Sequence, residues 1–130
     1  MLQPDDAALL AQAREIIALR HEHDRHEVGC ALRTRAGQVF RAVHLEAHVG
    51  RAAICAEAVA IGMGAAAGDT DIATIVAVNA AGEVVAPCGL CRELISDYAP
   101  AANVVVPGPG GPVLVPVGQL LPHKYARGDS

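Results

Sequence analysis

Two short motifs constrain this chain more than anything else in it: Cys55-Ala56-Glu57 and, about thirty residues on, Pro87-Cys88-Gly89-Leu90-Cys91. Between them they hold three thiols and one carboxylate. A catalytic zinc asks for such a set, with three protein ligands, an open fourth position for water, and an acid/base group that is not itself a ligand. A chain that uses both motifs on one ion must bring two distant segments to the same point.

Local sequence patterns say how. A small-residue helix is expected from about 55 to 67, stopped by Gly68-Asp69, and another over 88–98, ended before Pro100. Cys55 and Glu57 then fall in the first turn of one helix, and Cys88 and Cys91 in the first turn of the next. Both positive helix ends face one spot, where they favour thiolate over thiol. Residues three apart share a helix face, so Cys88 and Cys91 can grip one ion, and Pro87 costs no hydrogen bond at a helix start.

Around this pair, Leu9, Ala13, Ile16 and Ile17 mark a first helix over 6–19, begun by Asp5 and Asp6. Val28 to Arg33 and Gln38 to Val43 read as strands joined by the turn Thr34-Arg35-Ala36-Gly37, followed by a loop to about Ala53. Ile72 to Val78 is a continuous apolar run, as in a strand covered on both faces, and Val104 to Val106 and Val113 to Val115 complete the strands. A hairpin followed by alternating strands and helices predicts one α/β domain over 1–130, a mixed sheet with helices on both faces.

Composition narrows the function. A chain of 130 residues can bury a core without a structural metal, so a metal here is expected to serve chemistry. The net charge is -4 and no Lys/Arg cluster occurs, which removes the footprint of a nucleic-acid binder. One Phe and two Tyr are too few for a base-stacking surface. No run of eighteen apolar residues occurs, and Met1 to Asp6 lacks the basic-then-apolar pattern of a signal peptide, so no membrane association and a cytoplasmic location are expected. In a reducing compartment the four cysteines read as metal ligands or free thiols rather than disulfides.

The segments Ile54-Cys55-Ala56-Glu57 and Ala86-Pro87-Cys88-Gly89-Leu90-Cys91-Arg92, with Val28-Gly29-Cys30-Ala31-Leu32 upstream, resemble the cytidine deaminase family in its free-nucleoside branch. Cysteine rather than histidine as the first ligand is typical of that branch. Ala58 through Ala67 and Leu120-Leu121-Pro122 are most similar to blasticidin S deaminases, and the similarity covers roughly residues 28–125. The resemblance implies a three-layer α/β/α sandwich around a five-stranded mixed sheet, and a homotetramer with active sites near subunit contacts.

It also implies roles. Zn²⁺ held by Cys55, Cys88 and Cys91 lowers the pKa of water from 15.7 towards about 7, and Glu57 shuttles protons to the ring nitrogen and the departing ammonia. Three thiolates leave one excess negative charge, which Arg92 is expected to offset, the more so because Ala58 stands where relatives often carry another arginine. The backbone N–H of Ala56 and the carbonyl of Ala86 are expected to contact the base. Relatives carry Asn-x-Glu for the ribose hydroxyls where this chain has His44-Leu45-Glu46, so His44 and Glu46 are the sugar-edge candidates. His23 and His26 stand where relatives place an aromatic ring, which leaves stacking to an imidazole or to Tyr125.

The implied activity is hydrolytic deamination of cytidine or deoxycytidine, in pyrimidine salvage. The alternatives are a blasticidin S-like aminopyrimidine nucleoside or another amino heterocycle, and a non-catalytic zinc-binding protein, against which the open coordination position and Glu57 speak. Three further features have ordinary readings: Cys30 is a buried thiol, the His21-Glu22-His23-Asp24 and His26-Glu27 stretch has the side chains to bind a metal but reads as a solvated connection, and Gly62-Met63-Gly64 is a site of crowding against a subunit or the sheet.

Overall fold

The apolar run that begins at Ile72 forms the middle of the molecule. In a computed structural model that describes residues 2–128, it is strand β3 (Ile72–Asn79). Met1, Asp129 and Ser130, the ends of the expected 1–130 domain, lie outside the described residues. The other strands are β1 (Val28–Thr34), β2 (Val39–Val43), β4 (Val84–Val85), β5 (Asn103–Val106) and β6 (Val113–Pro116). The helices are α1 (Pro4–Arg20), α2 (Ala56–Ala66), α3 (Gly89–Tyr98) and the single turn α4 (Val117–Leu120), with a 3-10 turn at Gly50–Ala52.

The strands lie in the order β2-β1-β3-β5-β6. β1 runs antiparallel to both β2 and β3, β5 is parallel to β3, and β6 returns antiparallel. This is the expected five-stranded mixed sheet, extended by the two-residue β4, whose Val84 and Val85 pair with Val78 and Ala77.

Two apolar clusters hold three layers together. On one face Leu9, Leu10, Ala13 and Ile17 of α1 pack against Ala31, Val76, Val78 and Val105. On the other, Ala56, Ala60 and Ile61 of α2 and Ile95 of α3 pack on Cys30, Leu32, Ile75, Val104 and Val106. Each fully buried Leu or Ile contributes roughly 1.5–3 kcal/mol. Arg33 fastens α1 to the sheet, with Nη2 donating to Asp6 Oδ1 at 3.1 Å and to Thr74 Oγ1 at 3.2 Å. Cys30 is the buried thiol expected of it.

Two glycines set close approaches. A Cβ on Gly29 would meet Ala13 O and Ile17 Cβ at 2.8 Å, so α1 rests directly on β1 there. Gly29→Ala is expected to lower stability by about 1–3 kcal/mol through overpacking, read as a shift of the denaturation midpoint. A Cβ on Gly64 would meet the Asp69 carbonyl at 2.6 Å. The chain's own Gly68-Asp69 turn, with Gly68 at φ +81°, therefore crowds Gly64, whereas Gly62 has nothing within 4 Å.

Topology places the two motifs. β2 and β3 both oppose β1, so they are parallel to each other and their carboxyl ends share one edge of the sheet. α2 follows the first of these ends, whereas after the second the chain turns back through β4, antiparallel beside the last residues of β3, and α3 follows β4. Their N-termini thus start from the same edge, the usual place for a ligand site in an open α/β sheet.

Candidate active site

Cys55 is the residue before the first turn of α2, and Cys88 holds the same place before α3. Cys91 lies in the first turn of α3. The Cys55 and Cys88 sulfurs are 3.5 Å apart, and all three sulfurs lie within 4.8 Å of one another. Zinc binds thiolate at about 2.3 Å, so two sulfurs on a tetrahedral ion stand about 3.8 Å apart. The donor set therefore fits zinc. Cys88 is exposed, Cys55 half-buried and Cys91 fully buried, so the trio opens outward on one side.

The thiols differ electrostatically. Burial pushes Cys91 and Cys55 above the ordinary thiol range, with the neighbouring Glu57 and thiols adding to this at Cys91. At Cys88 burial acts upward as well, but the backbone N–H groups of Cys91 and Leu90 and the adjacent thiols outweigh it, and its pKa falls. Cys88 is accordingly the most readily ionised of the three, in the N-terminal field of α3. Glu57 is 6% exposed, and burial raises its carboxyl above the usual range.

Cys55, Cys88 and Glu57 line one cleft of about 200 Å³ together with Val28, His44, Ala53, Ile54, Ala56, Val85 and Ala86. The structure thus brings Ala56, Ala86 and His44 to the same cavity as the thiols and the carboxylate. Val28, Ile54 and Val85 form apolar walls that sequence reasoning did not single out. Val28 and Ile54 carried a signal, each as the start of a motif segment, and Val85 carried none.

His44 is held from behind. Its Nδ1 accepts the backbone N–H of Glu27 at 2.7 Å and of Val28 at 3.3 Å, which assigns the ring proton to Nε2. Nε2 faces Glu46 Oε1 at 3.3 Å. Glu46 itself lies in an adjoining groove with Asp24, Arg25, Ala47 and His48 rather than in the cleft wall.

Other expected residues stand elsewhere. Tyr125 is 80% exposed and borders a separate concavity with Glu93, Asp97, Tyr98, Lys124, Ala126 and Arg127, so within one chain it does not reach the cleft to stack on a base. His23 is exposed, and His26 is engaged through Nδ1 with the His44 carbonyl at 2.8 Å, so neither supplies a stacking ring. Among the described residues the His44 imidazole is the one aromatic ring in the cleft wall. Arg92 donates from Nε to Pro87 O at 2.8 Å and from Nη1 to Leu120 O at 3.0 Å. Its hydrogen bonds thus fasten the backbone before Cys88 to the end of α4.

A sequence profile described as the cytidine and deoxycytidylate deaminase zinc-binding region matches residues 3–107. The chain belongs to this family. The deaminase is 42% identical to a Blasticidin-S deaminase of Bacillus cereus, covering 97% of this chain and 96% of that protein. It is 30% identical to a cytidine deaminase of Halalkalibacterium halodurans over 82% of this chain and 83% of the relative. Among solved structures, cytidine deaminase from Mycobacterium leprae matches with a TM-score of 0.79 at 25% identity, covering 93% of this chain and all of that one. The Burkholderia pseudomallei cytidine deaminase matches at 0.77 and 29% identity, over 92% and 98% of the two chains. The family is one of zinc-dependent hydrolytic deaminases, and the three-thiol cluster fits its metal.

Proposed function

We propose that this deaminase removes the exocyclic amine of a cytosine-type nucleoside, cytidine or deoxycytidine, releasing ammonia and the uracil nucleoside. The observation that carries this reading is the sharing of one cleft by the Cys55 and Cys88 thiols, the buried Glu57 and apolar walls suited to a pyrimidine. Cys55, Cys88 and Cys91 would hold zinc, which when bound supplies water acidified from a pKa of 15.7 to about 7. Glu57 takes one water proton and passes it to the ring nitrogen as the water oxygen bonds to the adjacent amine-bearing carbon. It then takes the second proton from the added hydroxyl and delivers it to the amine, so that the C–N bond breaks, the carbonyl forms and ammonia leaves. Burial suits it to this work, since raising the pKa of a carboxyl makes its carboxylate a stronger proton acceptor. The Ala56 N–H and the Ala86 carbonyl orient the base edge, and Arg92 holds the Pro87 carbonyl so that Cys88 keeps its place.

The test is ammonia release over cytidine, deoxycytidine, cytosine, blasticidin S and guanine. Turnover of the two cytosine nucleosides with guanine inert is expected; guanine turnover in their stead would overturn the assignment. A second reading, a blasticidin S-like nucleoside, is supported by the B. cereus relative aligned over nearly the whole of both chains. It predicts a kcat/KM for blasticidin S above that for cytidine.

At the sugar edge, His44 offers a donor at Nε2 and Glu46 an acceptor 3.3 Å away, a pair matched to a hydroxyl that accepts from one and donates to the other. Sites built around a substrate hydroxyl reject analogues lacking it by roughly 10⁴–10⁵ when buried. Glu46 is exposed, so free cytosine is expected to be a poorer substrate than cytidine by about 10², a discount on that range. Glu46→Ala should erase most of that difference by lowering nucleoside turnover alone, as measured by kcat/KM on both substrates. Equal use of cytosine and cytidine by the unaltered protein would sink the ribose assignment.

We further infer a homotetramer acting in pyrimidine salvage in the cytoplasm. Exposed Leu45, bridged to exposed Ile54, together with Val49 and Leu90 supports a subunit contact beside the cleft. Four free cysteines suit a reducing compartment. Sedimentation of the zinc-loaded protein as a species of four chains is the expected result.

A further inference from the structure

The sequence between α1 and β1 is unusually rich in metal-binding side chains, with three imidazoles and three carboxylates in the seven residues from His21 to Glu27. From sequence it reads as a solvated connection, but the structure closes it into a tight turn. Glu22 and His26 are bridged, and the backbone N–H groups of Arg25 and His26 both donate to the Glu22 carbonyl at 2.9 Å. The reversal brings donors from the two legs together. His21 Nε2 lies 3.7 Å from Glu27 Oε1, His23 Nδ1 lies 3.9 Å from the same oxygen, and His23 Nε2 lies 3.3 Å from Asp24 Oδ2. One ligand atom from each of His23, Asp24 and Glu27 falls within 4.8 Å of the others.

Two ligands about 2.1 Å from one ion at the tetrahedral angle stand about 3.4 Å apart. The 3.3 Å and 3.9 Å spacings belong to different nitrogens of His23, and with one ligand atom per residue the set lies within 4.8 Å, so the exposed His23 and Asp24 side chains would have to rotate inward to close on an ion. His23 can ligate through one of its ring nitrogens, which leaves His21 as a further nitrogen donor across Glu27. His26 is not part of the set, being held on the His44 carbonyl. Mixed imidazole and carboxylate donors select zinc, nickel or copper over magnesium and calcium.

We propose that His23, Asp24 and Glu27, with His21 beside them, form a second divalent transition-metal site on this chain, separate from the three thiols. The turn is anchored on both sides of the cleft rim, through Glu46 N–H to Arg25 O at 3.1 Å and Glu27 N–H to His44 Nδ1 at 2.7 Å. Its backbone is therefore ordered before the ion arrives, which lowers the entropic cost of assembling the ligands. Because Glu27 supplies both a ligand oxygen and the N–H behind His44, an ion on the turn bears on the substrate cleft. The proposal does not depend on how that cleft is read.

The experiment uses zinc-loaded protein titrated with Ni²⁺, followed by calorimetry and by analysis of both metals after dialysis. One Ni²⁺ per chain taken up in the micromolar range, with zinc retained, is expected. His23→Ala should weaken that uptake at least tenfold at unchanged zinc content, and the His23 side chain is exposed enough for the variant to fold. Cu²⁺ loaded in place of Ni²⁺ should show nitrogen hyperfine structure in its electron paramagnetic resonance spectrum, reduced in His23→Ala. The proposal is overturned if no Ni²⁺ binds below millimolar concentration, if His23→Ala and Glu27→Gln both bind it as the unaltered protein does, or if Mg²⁺ displaces it at equal concentration.

Discussion

Cys88→Ala is expected to leave a folded protein that holds almost no zinc and turns over almost no substrate. Structural zinc in zinc-finger peptides binds with about 10–16 kcal/mol, and on that scale losing one of three protein ligands forfeits on the order of a quarter, about 10²-fold in affinity. The residue is well chosen for separating metal loss from unfolding. Cys88 is exposed, stands before α3 rather than within it, and belongs to neither apolar cluster. Cys91 is fully buried, so its truncation would mix a packing defect with the loss of a ligand. Zinc per chain by elemental analysis, alongside far-ultraviolet circular dichroism, makes the measurement. Cys30→Ala is the matched control, since that thiol is buried in the sheet and should keep its zinc complement. A Cys88→Ala protein with full zinc and full turnover would remove Cys88 from the metal site.

What could be read from the residues follows from the length over which a pattern repeats. The first helix, the hairpin, and the helices behind Cys55 and Cys88 each carry several turns or pleats of signal, and the structure places them within two residues of the expected ends. Val84–Val85 has two residues and Val117–Leu120 four, too few for any periodicity to register, and both were missed. The convergence of the thiols was legible because it depends on helix starts, which Pro87 and the cysteine spacing mark. That Glu46 faces a groove beside the cleft, that Tyr125 borders a different concavity, and that Arg92 bonds two carbonyls depend on side-chain directions set by tertiary packing, and no local pattern encodes these. The turn at His21–Glu27 is the converse case. Its composition was visible, but only the bridge between Glu22 and His26 shows that its donors meet.

Glu57→Gln is expected to separate catalysis from metal binding more sharply than any other change. Glutamine keeps the size of the side chain and its capacity for hydrogen bonds, so the first turn of α2 and the packing beside Cys91 should persist. What it loses is the ability to accept and return a proton, which as general acid/base catalysis is worth roughly 10²–10⁴ in rate. Folding should not suffer, because the carboxylate is already disfavoured by burial and a neutral amide carries no charge to desolvate. The expected result is therefore a protein with its full zinc content, an undiminished denaturation midpoint and a kcat reduced by about 10²–10⁴. KM should move little, since the cleft walls that hold the base are untouched. Loss of zinc from the variant would make Glu57 a ligand rather than a proton carrier. Retention of both zinc and full turnover would move the proton transfer to another group, and His44, the other titratable side chain in the cleft besides the thiols, would be the next to replace.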